Sequence, residues 1–394
     1  MPTRVLSNRN VRLYLCGVLV SGFGDSAMSL VAGVWVKTLT GSNGLAALVG
    51  FGVWLPLLAG PLIGGLADRL PRRQLLVATN LALSLVLAGP LAVRSPGDVW
   101  LLFATLLLIG TGGVLIDATE TALVTTAVPA DLRADLNGLV RSAIESMKLV
   151  APAAGVGLFA ALGGPAVALL DAATFAVAAL LFARLRAAPA TPEQTTKAGG
   201  RLHRTARPLV WAGGVALVAS TFTSTATFAM LDALHRAPTF VGLLTPVQGI
   251  GSIVSGVATG AILRRRPEWW LAAAGLVVFA AGVLAHATPW VPVVVAGTFA
   301  IGLGLPCPIV AAITLVQRTT PDAVLGRVAA TASTAMFAPA GPALLVGSGA
   351  VGLFDYRIQT VLGAGLAIGA ALGAAIGTAR MLPPASGTSP APSA

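Results

Sequence analysis

Long unbroken apolar runs, each closed by a short polar or basic cluster, set the pattern along this chain of 394 residues. Runs of about 20 apolar residues match the length of a bilayer-spanning helix, and without short alternating strands a barrel is excluded. Twelve runs are read, at roughly 12–37, 44–67, 74–93, 98–126, 137–162, 165–186, 208–231, 238–263, 269–287, 290–316, 328–352 and 358–380. The pattern predicts an all-α membrane protein of twelve transmembrane helices in two six-helix pseudo-repeats. Residues 1–186 form the N-terminal half and 208–380 the C-terminal half. Between them, 187–207 carries Pro189, Pro192, Gly199 and Gly200 and reads as a flexible cytoplasmic linker. The Pro/Ser/Ala-rich end, 381–394, reads as a disordered cytoplasmic tail. Two echoes support the repeat: Thr126-Ala127-Val128-Pro129-Ala130-Asp131 with Thr319-Thr320-Pro321-Asp322, and Gly65 through Arg69 with Gly260 through Arg264. In the second copy Leu263 stands where the first has Asp68.

Composition agrees. The chain is 56% hydrophobic and only 10% charged, with a mean hydropathy of +0.87, whereas soluble domains carry roughly 25% charged residues. A net charge of +11 raises the question of a nucleic-acid partner, but the placement of the charge answers against one. Nineteen of the 25 basic residues fall in segments on one side of the spans, and only Lys37, Arg94, Arg236 and Arg357 on the other. The remaining two, Arg141 and Lys148, lie within the fifth run. This is the positive-inside bias, and it predicts that both termini are cytoplasmic. The first apolar run leads directly into the next span, so no cleavable signal peptide is expected. Cys16 and Cys307 sit in apolar runs without metal or disulfide spacing, and His203, His235 and His286 are scattered. No metal or cofactor is expected. Without a nucleophile–base constellation or a phosphate-cradling Gly-rich loop with a lysine, neither an enzyme nor an ATP-driven pump is expected.

The densest cluster of charge between two runs is Gly64-Gly65-Leu66-Ala67-Asp68-Arg69-Leu70-Pro71-Arg72-Arg73. It closely resembles the loop between helices 2 and 3 of the major facilitator superfamily. Further strings narrow the resemblance: Thr38-Leu39-Thr40-Gly41-Ser42, Asn137-Gly138-Leu139, Asp171-Ala172-Ala173-Thr174-Phe175 and Leu325-Gly326-Arg327-Val328. In that order they look like the branch containing enterobactin exporters and macrolide-efflux proteins. The resemblance covers nearly the whole chain. One departure is Val150-Ala151-Pro152-Ala153-Ala154-Gly155, which resembles the Gly-Pro-x-x-Gly-Gly element of antiporters but has alanines at two of its glycines.

The resemblance implies the major facilitator fold and a conformational latch of Gly65, Asp68, Arg69, Arg73 and Arg327. Asp68 would face the start of the eleventh span near Gly326 and Arg327. An anion near a helix N-terminus is favoured by typically 0.3–1 kcal/mol, weak enough to break in each cycle. Simple topology-setting charge is the other reading of these residues.

Charges inside apolar runs carry the chemistry, because each costs ~2.5–3.5 kcal/mol at a helix centre on insertion scales. The proton-coupling candidates are Asp25, Asp117, Glu120 and Glu145, with Arg141 and Lys148 as charge partners. A turn centred near Leu132 puts Asp117 level with Lys148, and Glu120 about one helical turn from Arg141. Two readings stay open: a self-neutralised cluster joining the fourth and fifth spans, or a lining of the central cavity. Asp25 lies ~20 Å into the first span, with Ser21 and Ser29 one turn to either side. Ser21, Ser29, Thr223, Thr227 and Gln248 are the candidates for contact with substrate. Asp171 reads as opening the sixth span, which by the resemblance faces the periphery, and so as structural.

These residues predict a secondary active transporter: proton-coupled efflux of a small amphiphilic drug, siderophore or secondary metabolite by rocker-switch alternating access. Proton-coupled uptake of a small metabolite is the alternative, and a non-transport receptor or structural membrane protein the other. The expected partners are the small-molecule substrate, protons and the lipid bilayer. The expected form is a monomer in a bacterial cytoplasmic (inner) membrane.

Overall fold

The computed structural model describes residues 7–58, 60, 70–185, 203–320 and 322–379. The expected tail lies outside these residues, as does the expected linker up to position 202. Among the described residues all regular structure is helical. The first half contributes α1 (Arg9–Thr40), α2 (Asn43–Leu58), α3 (Arg72–Val86), α4 (Val99–Ala127), α5 (Ala130–Leu162) and α6 (Gly164–Ala183). The second contributes α7 (Arg207–Ser224), α8 (Thr227–Ala233), α9 (Val241–Leu263), α10 (Glu268–Ala285) and α11 (Val291–Gly304). It continues with α12 (Pro306–Thr319), α13 (Asp322–Phe337), α14 (Ala340–Leu353) and α15 (Tyr356–Ala379). Among the described residues nine helical stretches are long and apolar enough to cross a membrane, or ten if α7 and α8, bent by 44°, count as one.

Local chemistry explains where the helices depart from the apolar runs. The Asn8 side chain accepts from the backbone N–H groups of Asn10 and Val11 and starts α1 ahead of its first apolar residue. The same helix runs past Lys37 and stops at Gly41, whose φ of 68° glycine adopts without strain. Lys37 is therefore in the last turn of α1 and not in a connecting loop. Pro90 lies in a short 3-10 turn beyond α3, so the third helix is shorter than its run. The α4–α5 turn holds only Val128 and Pro129, not a loop centred on Leu132. Moving the turn changes the register: Asp117 now lies level with Arg141 rather than Lys148. Helix α5 continues through Pro152. Asp171 does not open α6 but sits eight residues into it.

The helices divide into two compact units. The first comprises Met1–Thr196, Ser224–Ile250 and Leu344–Gln359, and the second Lys197–Thr223, Gly251–Ala343 and Thr360–Ala394. In the first, Val11, Leu76, Leu123, Leu136, Phe182 and Leu185 form a buried core between α1, α3, α4, α5 and α6. The core of the second is built from Leu209, Ala216, Leu276, Phe279, Ala311, Val316, Met336 and Ala367. Small residues dominate that second core, which lets the backbones approach closely where lipid supplies no hydrophobic drive between helices.

Candidate functional site

Helix α1 organises the first unit, packing against α5 and α6 along its length. Two glycines set its approach to α6. A Cβ on Gly17 would lie 2.5 Å from Phe182, and one on Gly24 would lie 2.5 Å from Asp171 Oδ1 and 2.1 Å from Thr174 Oγ1. The absence of a side chain at Gly24 is what admits Asp171 to the α1 seam. Asp171 is wholly buried. The Thr174 hydroxyl is 2.7 Å from its backbone oxygen and 3.3 Å from Oδ1, while Oδ2 meets no hydrogen-bond partner among the described residues.

Next to Gly24 stands Asp25, partly exposed, within electrostatic reach of Asp171 on α6 and Asp117 on α4. Asp117 is exposed. Glu120, one turn further along α4, accepts a hydrogen bond from Tyr14 Oη at 3.2 Å. Tyr14 itself is buried and its ring packs 6.3 Å from that of Phe182. Of the acids expected to carry coupling, Asp25, Asp117 and Glu120 are thus drawn to one α1–α4–α6 seam. The side chains of Glu145, Arg141 and Lys148 lie outside the described residues.

Two of these positions were not singled out as candidates. Tyr14, Ser21 and Asp25 fall at i, i+7 and i+11, one stripe of α1, and that spacing was available as a signal for Tyr14. The approach of Asp171 to Asp25 depends on the α1–α6 contact and had no signal in the pattern of the runs. Ser21 donates to the Gly17 carbonyl of its own helix at 3.0 Å, and Ser29 is partly exposed. On α7 and α8, Thr223 bonds the Ala219 carbonyl at 2.8 Å and Thr227 the Ser224 carbonyl at 2.7 Å. These hydroxyls serve backbone groups around the bend between the two helices, a local role that Ser and Thr commonly take. Gln248 is partly buried in the middle of α9.

A second constellation lies where α1 ends. Lys37 is 8% exposed, and its Nζ donates to Asp232 Oδ2 at 2.6 Å and to the Gly41 carbonyl at 2.9 Å. Asn43 Nδ2 donates to the same Asp232 oxygen at 3.0 Å. Around this pair, a Cβ on Gly44 would lie 2.9 Å from the Ser348 carbonyl and one on Gly242 would lie 2.9 Å from Val156. Gln359 Nε2 reaches Thr225 Oγ1 at 2.6 Å and the Gly347 carbonyl at 3.2 Å. Within the first unit, then, α8, the start of α9 and the end of α14 are seated against α1, α2 and α5. Neither Lys37 nor Asp232 is among the site residues expected from the sequence.

Of the expected latch, Gly65, Asp68 and Arg69 lie outside the described residues, and so does the side chain of Arg327. Arg73 is described and exposed. It donates through Nη2 to the carbonyl of Ala183, the last residue of α6.

Residues 14–344 match the model of the Major Facilitator Superfamily. The chain belongs to that superfamily. No curated protein matches. Solved structures share its fold: a bacterial homologue of the iron transporter ferroportin is 17% identical with a TM-score of 0.77, the match covering 94% of this chain and 99% of that one. The POT family transporter PepTSo is 12% identical with a TM-score of 0.75 over 95% and 98% of the two chains. The nucleoside transporter NupG is 12% identical with a TM-score of 0.73 over 94% and 100%. At these identities the likeness is one of fold. The protein is a multi-pass helical membrane protein with the fold of a transporter, and its family is one of transporters rather than enzymes.

Proposed function

We propose that this chain is a proton-coupled exporter of a small amphiphilic molecule, of the kind represented by drugs, siderophores and secondary metabolites. In this reading twelve spans form two six-helix pseudo-repeats, 1–186 and 208–380, that rock about a central cavity with both termini in the cytoplasm of a bacterium. The branch resemblance to enterobactin and macrolide exporters favours the outward direction.

The observation that carries the coupling reading is Asp25. It is a partly exposed acid midway along α1, its neighbours Asp117 and Asp171 are also acids, and no described Lys or Arg pairs with it. An intramembrane acid in such a position marks a proton or ion path by default. Asp117 and Glu120 line the same seam and extend it toward the start of α1. With the termini cytoplasmic, Lys37 and Asp232 lie on the outer face. Their contact, with Asn43, holds that face shut while cargo enters from the cytoplasm and breaks when it leaves. Asp68, Arg69, Arg73 and Arg327 take the corresponding role on the inner face.

The test is transport into inverted membrane vesicles, using a cationic dye, a macrolide and a catecholate siderophore as probes. An imposed proton gradient should drive accumulation in wild type, and Asp25→Asn should reduce it at least about tenfold, the scale of a lost ~1.4 kcal/mol coupling contribution. Accumulation that survives the substitution would move coupling to Asp117, Glu120 or Glu145. Uptake driven in the opposite direction would replace export by the symport reading.

A further inference from the structure

We propose that Asp25 on α1 and Asp171 on α6 form one cation-binding unit whose ligand is the transported proton. The proposal rests on the coupling reading above and deepens it by naming the second acid of the site. Three observations meet there. Asp171 is wholly buried with Oδ2 unpartnered among the described residues, although a buried carboxylate oxygen ordinarily finds a donor. Gly24 leaves the space that brings the Asp171 carboxyl onto α1, next to Asp25. The two acids lie within electrostatic reach of each other.

The surroundings supply little else to balance them. Among the described residues, α4 faces Asp25 with another acid, Asp117, and Glu120 is held by Tyr14. The described part of α2 contains no ionisable residue. Helix α3 touches α6 through Ser84, whose hydroxyl donates to the Ala172 carbonyl, and its arginines lie at its first turn. Helix α5 meets α1 at Gly155 and Ala27 and bears Arg141, Glu145 and Lys148 nearer its start. Two carboxylates brought against each other repel, and a cation shared between them relieves that repulsion. A proton held between them satisfies the open Oδ2 and leaves the pair with a single negative charge. Asp25 is the member exposed to the exchange path, and Asp171 is the buried member that tunes it.

The experiment follows the carboxyl C=O stretch of the full chain in lipid nanodiscs by infrared difference spectroscopy across a pH titration, with no cargo present. Wild type should show a titrating component that Asp25→Asn removes. In Asp171→Asn that component should persist but titrate about one pH unit or more away from its wild-type position, the coupling that defines two acids acting as one site. An unchanged titration in Asp171→Asn overturns the proposal and leaves Asp171 as a packing acid. The absence of any Asp25 component in wild type overturns it too, because a permanent pair of Asp25 with Lys148 or Arg141 would give that result. Loss of the component on adding sodium ion at fixed pH would make the ligand a metal cation and not a proton. Should Asp171→Asn fail to fold, Thr174→Val decides. It keeps both acids, removes the hydroxyl beside Oδ1, and should also displace the titration; no displacement overturns the proposal. Gradient-driven vesicle transport without this coupled titration would sink the pair and leave the export reading intact. The coupled titration without gradient-driven transport would do the reverse.

Discussion

Two of the charged residues of helix α1, Asp25 and Lys37, lie twelve residues apart, a separation of ~18 Å along its axis, and the protein treats them in opposite ways. Lys37 is buried against an acid, a backbone carbonyl and an amide that shares the acid. These contacts tie the end of α1 to Asp232 and so hold α8 against α1. The neighbours of Asp25 are carboxylates. Among the described residues no Lys or Arg pairs with it, and in the proposed reading a transported proton balances it. Burying an ion pair is itself a poor source of stability, whereas removing one partner of such a pair is costly. In the proposed function the two sites take two roles, a contact that must break and a site that must fill and empty.

The largest expected effect tests the seam that separates these roles. Gly24→Ala would place a methyl 2.1 Å from Thr174 Oγ1, 2.5 Å from Asp171 Oδ1 and 3.0 Å from Asp171 Cα. One of these atoms is backbone, so α6 must move. Overpacking of this kind costs about 1–3 kcal/mol, and thermal unfolding of the purified protein should show it as a fall in Tm. Gly22→Ala, two residues away on the same helix, meets nothing within 4 Å and should leave Tm unchanged. Equal Tm values for the two variants would show that Asp171 is not wedged against α1, and the contrast between the middle and the end of the helix would lose its basis.

A smaller effect is expected at the C-terminal end of α1. Lys37→Gln leaves Asp232 with Asn43 as its donor, and Asp232→Asn leaves Lys37 buried with neutral acceptors only, the Gly41 carbonyl and the amide oxygen. Because Asp232 is 47% exposed, water takes part of the load, and about 1–2 kcal/mol is expected from either change. The double variant Lys37→Asp with Asp232→Lys should recover part of that loss. In transport the pair should behave unlike Asp25: its loss should shift the balance between closed and open forms and leave dependence on the proton gradient in place. A cysteine introduced at Ser348, beside Gly44, reports the form present, and its labelling by a membrane-impermeant thiol reagent should rise in Asp232→Asn. Unchanged labelling would mean that the ion pair does not keep this face closed.

Much of this architecture was legible in the runs. Where Asn8, Gly41 and Pro129 end or start helices, local chemistry explains the boundaries, and the apolar lengths already required a helical membrane protein. What the runs did not disclose came from small shifts and from contacts between helices. Lys37 looked like a loop residue because the apolar run fades there, yet the helix continues until Gly41 stops it. The turn between α4 and α5 lies at Val128–Pro129 rather than Leu132, and this displacement changed which residue of α5 stands level with Asp117. Tyr14 was readable from its spacing to Asp25. The nearness of Asp171 to Asp25 was not, because it depends on Gly24 and on which helix meets α1, and a one-dimensional pattern specifies neither. Thr223 and Thr227 illustrate the reverse case: read from the sequence as contacts for substrate, both bond carbonyls of their own segment.

The smallest effect separates two meanings of an arginine. Arg73 was expected to latch the halves, and its described contact is to the last carbonyl of α6. A cation at a helix C-terminus is worth typically 0.3–1 kcal/mol at an exposed site. If that cap is its whole role, Arg73→Gln should lower Tm by the equivalent of about 0.3–1 kcal/mol, Arg73→Lys should retain most of the stability, and both should transport at the wild-type rate. If Arg73 also engages the loop around Asp68 during the cycle, transport in Arg73→Gln should fall by more than the stability loss explains, and Arg73→Lys should not rescue it, since lysine lacks the planar fork that grips a carboxylate and a carbonyl together. The first outcome makes Arg73 a cap with a single partner. The second gives the inner face a charge that changes partners, and the contrast seen along α1 would extend to both faces of the membrane.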